Sequence, residues 1–212
     1  KREVFGDVGT EGMAAGPSEI CVLADGKTDL NQVITSMIGQ AEHDVNSQCI
    51  LITKDKKLVN KFNIEIKGRI QKAQTKSVVL KSLKNNGLIV FAQTDKQIIE
   101  VINEVAPEHL EINVSNYKKY LNQIYNAGSI MIGKYSPMAV SDYNVGTNHV
   151  LPTLGSAKFS SGLNSSEFYK KISHITLTKK GIEKLGESAT HLAEYEDLDN
   201  HAQSIRSRMK GK

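Results

Sequence analysis

Residues 20–24, ICVLA, form a short continuous apolar run with turn-forming residues on both sides. A run of this length, bounded in this way, predicts a strand that is buried on both faces. Apolar residues then recur at helical spacing over residues 30–41, and either Thr28 or Asp29 can cap that helix. A buried strand followed by an amphipathic helix is the repeating unit of α/β proteins.

The same alternation of strands and helices continues to residue 155. Further strands are predicted at residues 48–53, 87–92, 110–112 and 128–132. Helices are predicted at residues 54–72, from a Thr94 cap to Pro107, at 117–124, and from Ser136-Pro137, a hydroxyl cap with proline at the first helical position. We therefore expect residues 1–155 to form an incomplete Rossmann-like α/β domain, with helices covering both faces of a parallel sheet.

Residues 156–212 have a different pattern and predict a linker followed by a mainly helical tail. Residues 156–164 are rich in Ser and Gly, residues 172–178 resemble a strand, and helices are predicted at 180–194 and 196–209. A segment of about 50 residues is too short to build a strong core alone. We expect this tail to dock onto the main domain or onto a second subunit.

Composition and charge argue against several classes of protein. Of the 212 residues, 39% are hydrophobic and 24% are charged, which argues against intrinsic disorder. The net charge of +4 is diffuse and the chain has no Trp, so nucleic acid is not expected as a partner. No apolar run reaches the roughly 18–20 residues of a membrane span, so no membrane is expected. Cys21 and Cys49 lie in apolar runs and no signal peptide is visible, which predicts reduced thiols and a cytoplasmic protein.

Gln40 and His43 are candidate metal ligands near the end of the first predicted helix. They stand three positions apart, so they share a helix face, and an amide oxygen and an imidazole can bind one ion. The alternative is an exposed helix terminus at which His43 is favoured by the helix dipole.

Glu108 and His109 are candidate proton-transfer groups at a predicted helix-to-strand transition. A carboxylate beside an imidazole provides two groups that can exchange protons near neutral pH. The alternative is an ordinary polar loop. Asp142 and His149 follow the last predicted strand, where loops at the carboxyl ends of parallel strands bind ligands.

Ser18, Glu196 and His201 complete the candidate residues. Ser18 follows Gly16-Pro17 and can offer its hydroxyl to a polar ligand. Glu196 and His201 are expected on the last helix, and taken alone each is typical of solvated surface. The chain has neither a glycine-rich dinucleotide fingerprint nor a phosphate loop, which argues against a self-contained nucleotide enzyme.

Read together, these stretches resemble the histidinol dehydrogenase family over essentially the whole chain. The matching blocks are VFG at 4–6, AGPSE at 15–19, QAEH at 40–43, APEHLE at 106–111, NAGSI at 126–130, YSP at 135–137, DY at 142–143, TNHVLPT at 147–153 and FSSGL at 159–163, followed by Glu196 and His201. The resemblance implies two successive NAD⁺-dependent oxidations, from L-histidinol through bound L-histidinal to L-histidine, with one zinc ion per site.

The resemblance also implies a role for each candidate residue. Glu108 and His109 are the implied catalytic pair: His109 takes the alcohol proton, and Glu108 activates the water that attacks the aldehyde. The implied zinc ligands, which also contact substrate, are Gln40, His43, Asp142 and His201, and Mn²⁺ or Co²⁺ can take the place of Zn²⁺. The other implied substrate contacts are Ser18, His149, Glu196 and His109.

The match covers only the C-terminal half of the family's usual length. The residues that bind most of the NAD⁺ are therefore expected in the N-terminal half, which has no counterpart in these 212 residues. The family implies a homodimer whose subunits exchange the tail, so that each active site is shared. The alternative function is a non-catalytic fragment that binds zinc and histidinol.

Overall fold

The computed structural model describes residues 3–4, 6–9 and 16–209. Two residues of the matching blocks, Phe5 and Ala15, lie outside the described residues. The strands found within them are β1 (Glu19–Ala24), β2 (Gln48–Thr53), β3 (Gly87–Phe91), β4 (His109–Asn113) and β5 (Ser129–Ile132). These described strands are all parallel and form one sheet in the order β3-β2-β1-β4-β5. This order, with β1 at the centre, confirms the predicted Rossmann-like α/β fold.

Helices connect successive strands and cover the sheet. The helices of this part of the chain are α1 (Leu30–Ala41), α2 (Lys56–Lys72), α3 (Lys76–Asn86), α4 (Asp95–Val105), α5 (Lys118–Leu121) and α6 (Met138–Tyr143). Asp29 caps α1 by accepting a hydrogen bond from the backbone N–H of Asn31. Thr94 and Gln97 form a capping box at the start of α4. Both caps confirm the sequence prediction, since Ser, Thr and Asp are preferred at this position.

The core lies on both faces of the sheet because alternate residues of each strand point in opposite directions. Ile20 and Val22 of β1 pack on one face with the apolar residues of α1, α2 and α3. Cys21 and Leu23 pack on the other face with those of α4. Full burial of one large aliphatic side chain contributes about 1.5–3 kcal/mol, so the central strand is a major source of stability.

In this part of the chain one helix was not predicted and one predicted helix cap is wrong. Helix α3 was not expected, and it occupies the segment before Gly87 with Thr75 at its N-cap position. Ser136 does not cap α6: the N-cap is Pro137, with no side-chain cap hydrogen bond, and Met138 is the first helical residue. The backbone N–H of Met138 instead donates to the side chain of Glu111, so a residue of β4 replaces the expected hydroxyl.

The chain divides into two compact units, Lys1–Phe168 and Tyr169–Lys212, and the boundary predicted at residue 155 stays a prediction. The second unit contains α7 (Lys179–Tyr195) and α8 (Asp199–Met209), which pack against each other. The expected strand at 172–178 is absent from the described residues of this unit, and its side chains are exposed. A strand needs a neighbouring strand to pair its backbone groups, and the unit offers none among its described residues. No helix of the described residues is both long and apolar enough to cross a membrane.

Candidate active site

Several polar residues of the first unit lie where the amino ends of the parallel strands meet. We call this end of the sheet its amino edge, and the opposite end its carboxyl edge. His109 is the first residue of β4, and it lies beside Ile20 of β1 and Ser129 of β5 in the strand register. Asp142 also lies at this edge, as the distance of 3.4 Å between its Oδ1 and Nε2 of His109 shows. Helix α6 runs back over β4, from Met138 beside Glu111 to Asp142 beside His109. The expectation that Asp142 lies at the carboxyl ends of the strands is therefore wrong.

Glu19 and Glu108 hold the starts of β1 and β4 together through reciprocal hydrogen bonds. The backbone N–H of Glu19 donates to Oε2 of Glu108 at 2.9 Å, and the N–H of Glu108 donates to Oε2 of Glu19 at 3.3 Å. Oε1 of Glu19 also accepts from the N–H of Leu154 at 3.1 Å. Burial raises the pKa of Glu19 and outweighs these hydrogen bonds, which lower it.

His109 is 3% exposed and its ring lies between two carboxylates. Nδ1 is 3.4 Å from Oε2 of Glu108 and 3.1 Å from the carbonyl oxygen of Glu19. Nε2 faces Asp142 and has no hydrogen-bond partner among the described residues. Burial lowers the pKa of His109, but the hydrogen bond and charge of Glu108 and the charge of Asp142 outweigh it, so the net pKa is raised. His109 can therefore exchange a proton with a bound ligand.

The backbone at the start of β5 packs closely against the backbone of Glu108 and fixes its position. The N–H of Ser129 donates to the carbonyl oxygen of Glu108 at 2.8 Å, and Gly128 lies directly against it. A Cβ atom at Gly128 would lie 2.6 Å from that oxygen, which real Cβ atoms do not approach. Gly128 is thus required for the position of Glu108 rather than for a turn.

Gln40 lies in the last turn of α1, is 1% exposed, and has a buried Oε1 without a hydrogen-bond partner among the described residues. His43 does not lie on the helix as expected, because α1 ends at Ala41 and a turn follows. The side chain of His43 is exposed. The backbone N–H of His43 still donates to the carbonyl of Gln40, so the two residues remain neighbours along the turn.

Ser18 and His149 of the first unit form no side-chain hydrogen bond with this cluster among the described residues, and Glu196 and His201 belong to the second unit. Ser18 directly precedes β1 and is partly exposed, while His149 is exposed in the segment after α6. Glu196 was expected on the last helix, but it is the C-cap residue of α7. The left-handed Asp197, with a φ of 57°, separates it from α8. His201 is exposed in α8 of the second unit.

Glu19 and Glu111 belong to the cluster but were not predicted as site residues. Glu111 is 1% exposed and accepts hydrogen bonds from Ser36 at 2.9 Å and from the N–H of Met138 at 2.7 Å. Burial raises its pKa, against the opposing effect of these hydrogen bonds. The signal for both residues is a carboxylate inside or next to an apolar strand, since buried carboxylates are rare without a specific partner.

The first unit offers two donor atoms that fit a metal ion. The described residues contain no group of three or more His, Cys, Asp or Glu that could hold one. The Oε1 atom of Gln40 is buried without a partner, and the carboxylate of Asp142 is 20% exposed. An amide oxygen, a carboxylate and imidazole nitrogens suit a borderline ion such as Zn²⁺. The residues present therefore fit such an ion, although the cluster by itself is not a complete coordination shell.

The fold and the cluster define a parallel α/β protein with a buried carboxylate–imidazole site at the amino edge of its sheet. The family model for histidinol dehydrogenase matches residues 1–209. The chain is 51% identical over 212 residues to a histidinol dehydrogenase of Pelagibacter ubique, covering 100% of this chain and 50% of that protein. It is 42% identical over 210 residues to one of Listeria monocytogenes, covering 99% of this chain and 49% of that protein.

A crystal structure of histidinol dehydrogenase from Elizabethkingia anophelis superposes with a TM-score of 0.85 at 35% identity, over 93% of this chain and 45% of that one. The chain belongs to the histidinol dehydrogenase family. It spans about half the length of the curated relatives that it matches.

Proposed function

We propose that this chain provides the substrate- and metal-binding site of a zinc- and NAD⁺-dependent histidinol dehydrogenase. The reaction is the four-electron oxidation of L-histidinol, through L-histidinal, to L-histidine, and we propose a cytoplasmic location. Family membership supports the substrate class. The observation that carries the proposal is the buried Glu108–His109 pair, with Asp142 on the far side of the imidazole.

His109 is the proposed base of the alcohol step, in which the substrate loses a hydride from carbon and a proton from oxygen. The carbonyl oxygen of Glu19 lies 3.1 Å from Nδ1 and favours a proton on that nitrogen. Nε2 then carries the lone pair, and it has no hydrogen-bond partner among the described residues. Nε2 is accordingly the atom that takes the hydroxyl proton.

Glu108 is the proposed base of the aldehyde step. A water molecule must add to the aldehyde carbon before a second hydride can leave, and it loses one proton as it adds. Oε2 of Glu108 already accepts the N–H of Glu19, so we assign that proton to Oε1. The hydrogen bond to the strand holds the carboxylate in place, and a positioned base contributes about 10²–10⁴-fold to a rate.

Zinc is the proposed ion, with Gln40, His43, Asp142 and His201 as its ligands, and Mn²⁺ or Co²⁺ can substitute. The unpartnered, buried Oε1 of Gln40 supports this assignment. When bound, the ion holds the imidazole and amine of the substrate as a template. The further proposed substrate contacts are Ser18, His149 and Glu196.

The described residues do not fit NAD⁺ in the way that a Rossmann-like domain usually does. The turn between β1 and α1 is not glycine-rich, and the side chain of Asp29 caps α1. A Cβ atom at Gly26 would lie 2.3 Å from Oδ2 of Asp55, so the carboxylate of Asp55 crowds this turn. We therefore assign no NAD⁺ contact to the described residues of this chain.

A homodimer that shares its active sites by exchange of the tail remains part of the proposal, on the resemblance alone. The alternative function is binding of zinc and histidinol without turnover.

The test uses two substitutions in the complete natural polypeptide that contains this chain. We expect His109→Asn to slow histidinol oxidation by about 10²–10⁴-fold. Glu108→Gln should slow histidinal oxidation by a similar factor while affecting the alcohol step less. NADH formation from each substrate measures both effects.

Exposed residues provide matched controls. His191→Asn on α7 and Glu100→Gln on α4 make the same chemical changes at exposed or surface positions and should leave both rates unchanged. Normal turnover by both site variants would contradict the catalytic assignment. Zinc and histidinol binding without any turnover by the unsubstituted protein would favour the alternative function.

A further inference from the structure

Glu111 is a buried carboxylate whose hydrogen-bond partners among the described residues are all neutral. It lies in β4 between Leu110 and Ile112, which are fully buried, and it points to the same face as His109. Its partners are the Ser36 hydroxyl, the backbone N–H of Met138, and Nδ2 of Asn113. A carboxylate in such a place is costly unless its hydrogen bonds compensate for lost solvation.

A single oxygen of Glu111 joins two helices. Oε1 accepts from Ser36 of α1 at 2.9 Å and from the N–H of Met138, the first residue of α6, at 2.7 Å. Helix α6 has no side-chain cap of its own, because Pro137 occupies the N-cap position. Glu111 therefore fixes where α6 begins, and it fixes that point relative to α1.

In each of α1, α6 and β4, a proposed site residue lies about one helical turn or two strand positions from the residue that takes part in these hydrogen bonds. Gln40 follows Ser36 by four positions on α1, and Asp142 follows Met138 by four positions on α6, so each pair shares a helix face. His109 precedes Glu111 by two positions on the same face of β4. Four helical residues rise about 6 Å, and two strand residues rise about 6.6 Å. The three steps are thus nearly equal in length.

We propose that Glu111 is a positioning residue that sets the register of α1, α6 and β4, so that Gln40, Asp142 and His109 meet at one level. This inference deepens the proposed function and rests on it for the identity of the ligands. Glu111 itself contacts neither metal nor substrate. Its effect on Gln40 and Asp142 passes through Ser36 and Met138.

The two variants of Glu111 separate its geometry from its charge. Glu111→Gln keeps an oxygen that can accept from both Ser36 and Met138. Its new amide replaces Oε2, which accepts from Nδ2 of Asn113, so the Asn113 side-chain amide must turn over to present Oδ1, an atom that is buried without a partner among the described residues. Glu111→Leu has a similar volume and removes both acceptors.

The first measurement is the dissociation constant for Zn²⁺, by competition with a chelator, in the complete natural polypeptide. We expect Glu111→Leu to weaken Zn²⁺ binding by about 10–100-fold, which is usual for loss of a group that orients metal ligands. Glu111→Gln should remain within about threefold of the unsubstituted protein, since one carbonyl oxygen can accept both hydrogen bonds. Ser36→Ala should have a smaller effect than Glu111→Leu, and Thr35→Ala, an exposed hydroxyl on the same helix, should have none.

The second measurement is hydrogen exchange of the Met138 amide, which does not depend on metal or turnover. We expect protection in the unsubstituted protein and in Glu111→Gln, and loss of protection in Glu111→Leu. Unchanged Zn²⁺ affinity in Glu111→Leu, or an equal loss in Glu111→Gln, would overturn the inference. An unsubstituted protein that binds no Zn²⁺ would contradict the proposed function instead. In that case, hydrogen exchange of the Met138 amide alone would test whether Glu111 sets the register. Unchanged protection of this amide in Glu111→Leu would overturn the inference.

Discussion

The carboxylates at the carboxyl edge and at the amino edge of the sheet have pKa values that are shifted in opposite directions. At the carboxyl edge, Asp95 accepts from Lys54 at 2.5 Å, Lys119 at 2.6 Å and the Tyr120 hydroxyl at 2.7 Å. The hydrogen bonds from Lys119, Lys54 and Tyr120 hold the pKa of Asp95 well below its usual range. At the amino edge, burial raises the pKa of Glu19 and Glu111.

The difference supports the proposal that the functional site lies at the amino edge. A cavity of about 480 Å³ lies at the carboxyl edge, where Rossmann-like folds usually bind ligands, and Lys54 and Lys119 are among the residues that line it. These two lysines are already paired with Asp95 and are partly exposed. The amino edge instead holds two buried atoms, Oε1 of Gln40 and Nε2 of His109, that have no hydrogen-bond partner in the described part of the chain. Groups that burial leaves unpaired are candidates for binding, while paired surface groups contribute mainly to stability.

The largest expected effect on stability comes from removing the carboxylate of Glu19. Glu19→Leu leaves the buried N–H of Glu108 and the partly buried N–H of Leu154 without an acceptor, which costs about 2–3 kcal/mol of the free energy of unfolding. Glu19→Gln keeps one of the two acceptors and should cost about half as much. Urea unfolding measures both values. Equal stability of all three proteins would show that these reciprocal bonds do not hold the edge together.

The smallest expected effect is at the opposite edge. Asp95→Asn should lower the free energy of unfolding at pH 7 by about 0.5–1 kcal/mol, because the ion pairs are about 40% exposed and solvent screens them. The pKa of Asp95 is lowered by folding, so its contribution is present above the unfolded pKa and is lost as the pH falls below about 4. The difference between the two proteins should therefore shrink at pH 3 and in high salt. A difference that grows under acid conditions would contradict the ion-pair account.

Local sequence signals were sufficient for most of the fold. The run at residues 20–24 predicts β1, and the Thr94 signature predicts α4, because burial on two faces and capping are visible in a few consecutive residues. Residues 172–178 have a strand-like pattern, but pairing requires a neighbour that the pattern does not contain. Helix α3 has few buried residues and no side-chain cap, so its periodic signal is weak.

From the local pattern alone, only Glu108 and His109 could be placed together in the candidate site, because they are adjacent in sequence. Glu108 and His109 stand together, and the structure keeps them together. Glu19 bonds to Glu108, 89 positions away, and Glu111 bonds to Ser36, 75 positions away. Contacts over such separations depend on strand order and helix register, which no local pattern encodes.

The most direct test of the account is to find which edge of the sheet binds L-histidinol. Hydrogen–deuterium exchange is measured on the complete natural polypeptide with Zn²⁺, before and after addition of L-histidinol and without dinucleotide. We predict slower exchange in peptides that cover residues 106–113 and 138–143, with no change in those that cover 25–29 and 114–121. Protection of the second pair of peptides alone would place the site at the carboxyl edge and contradict the account.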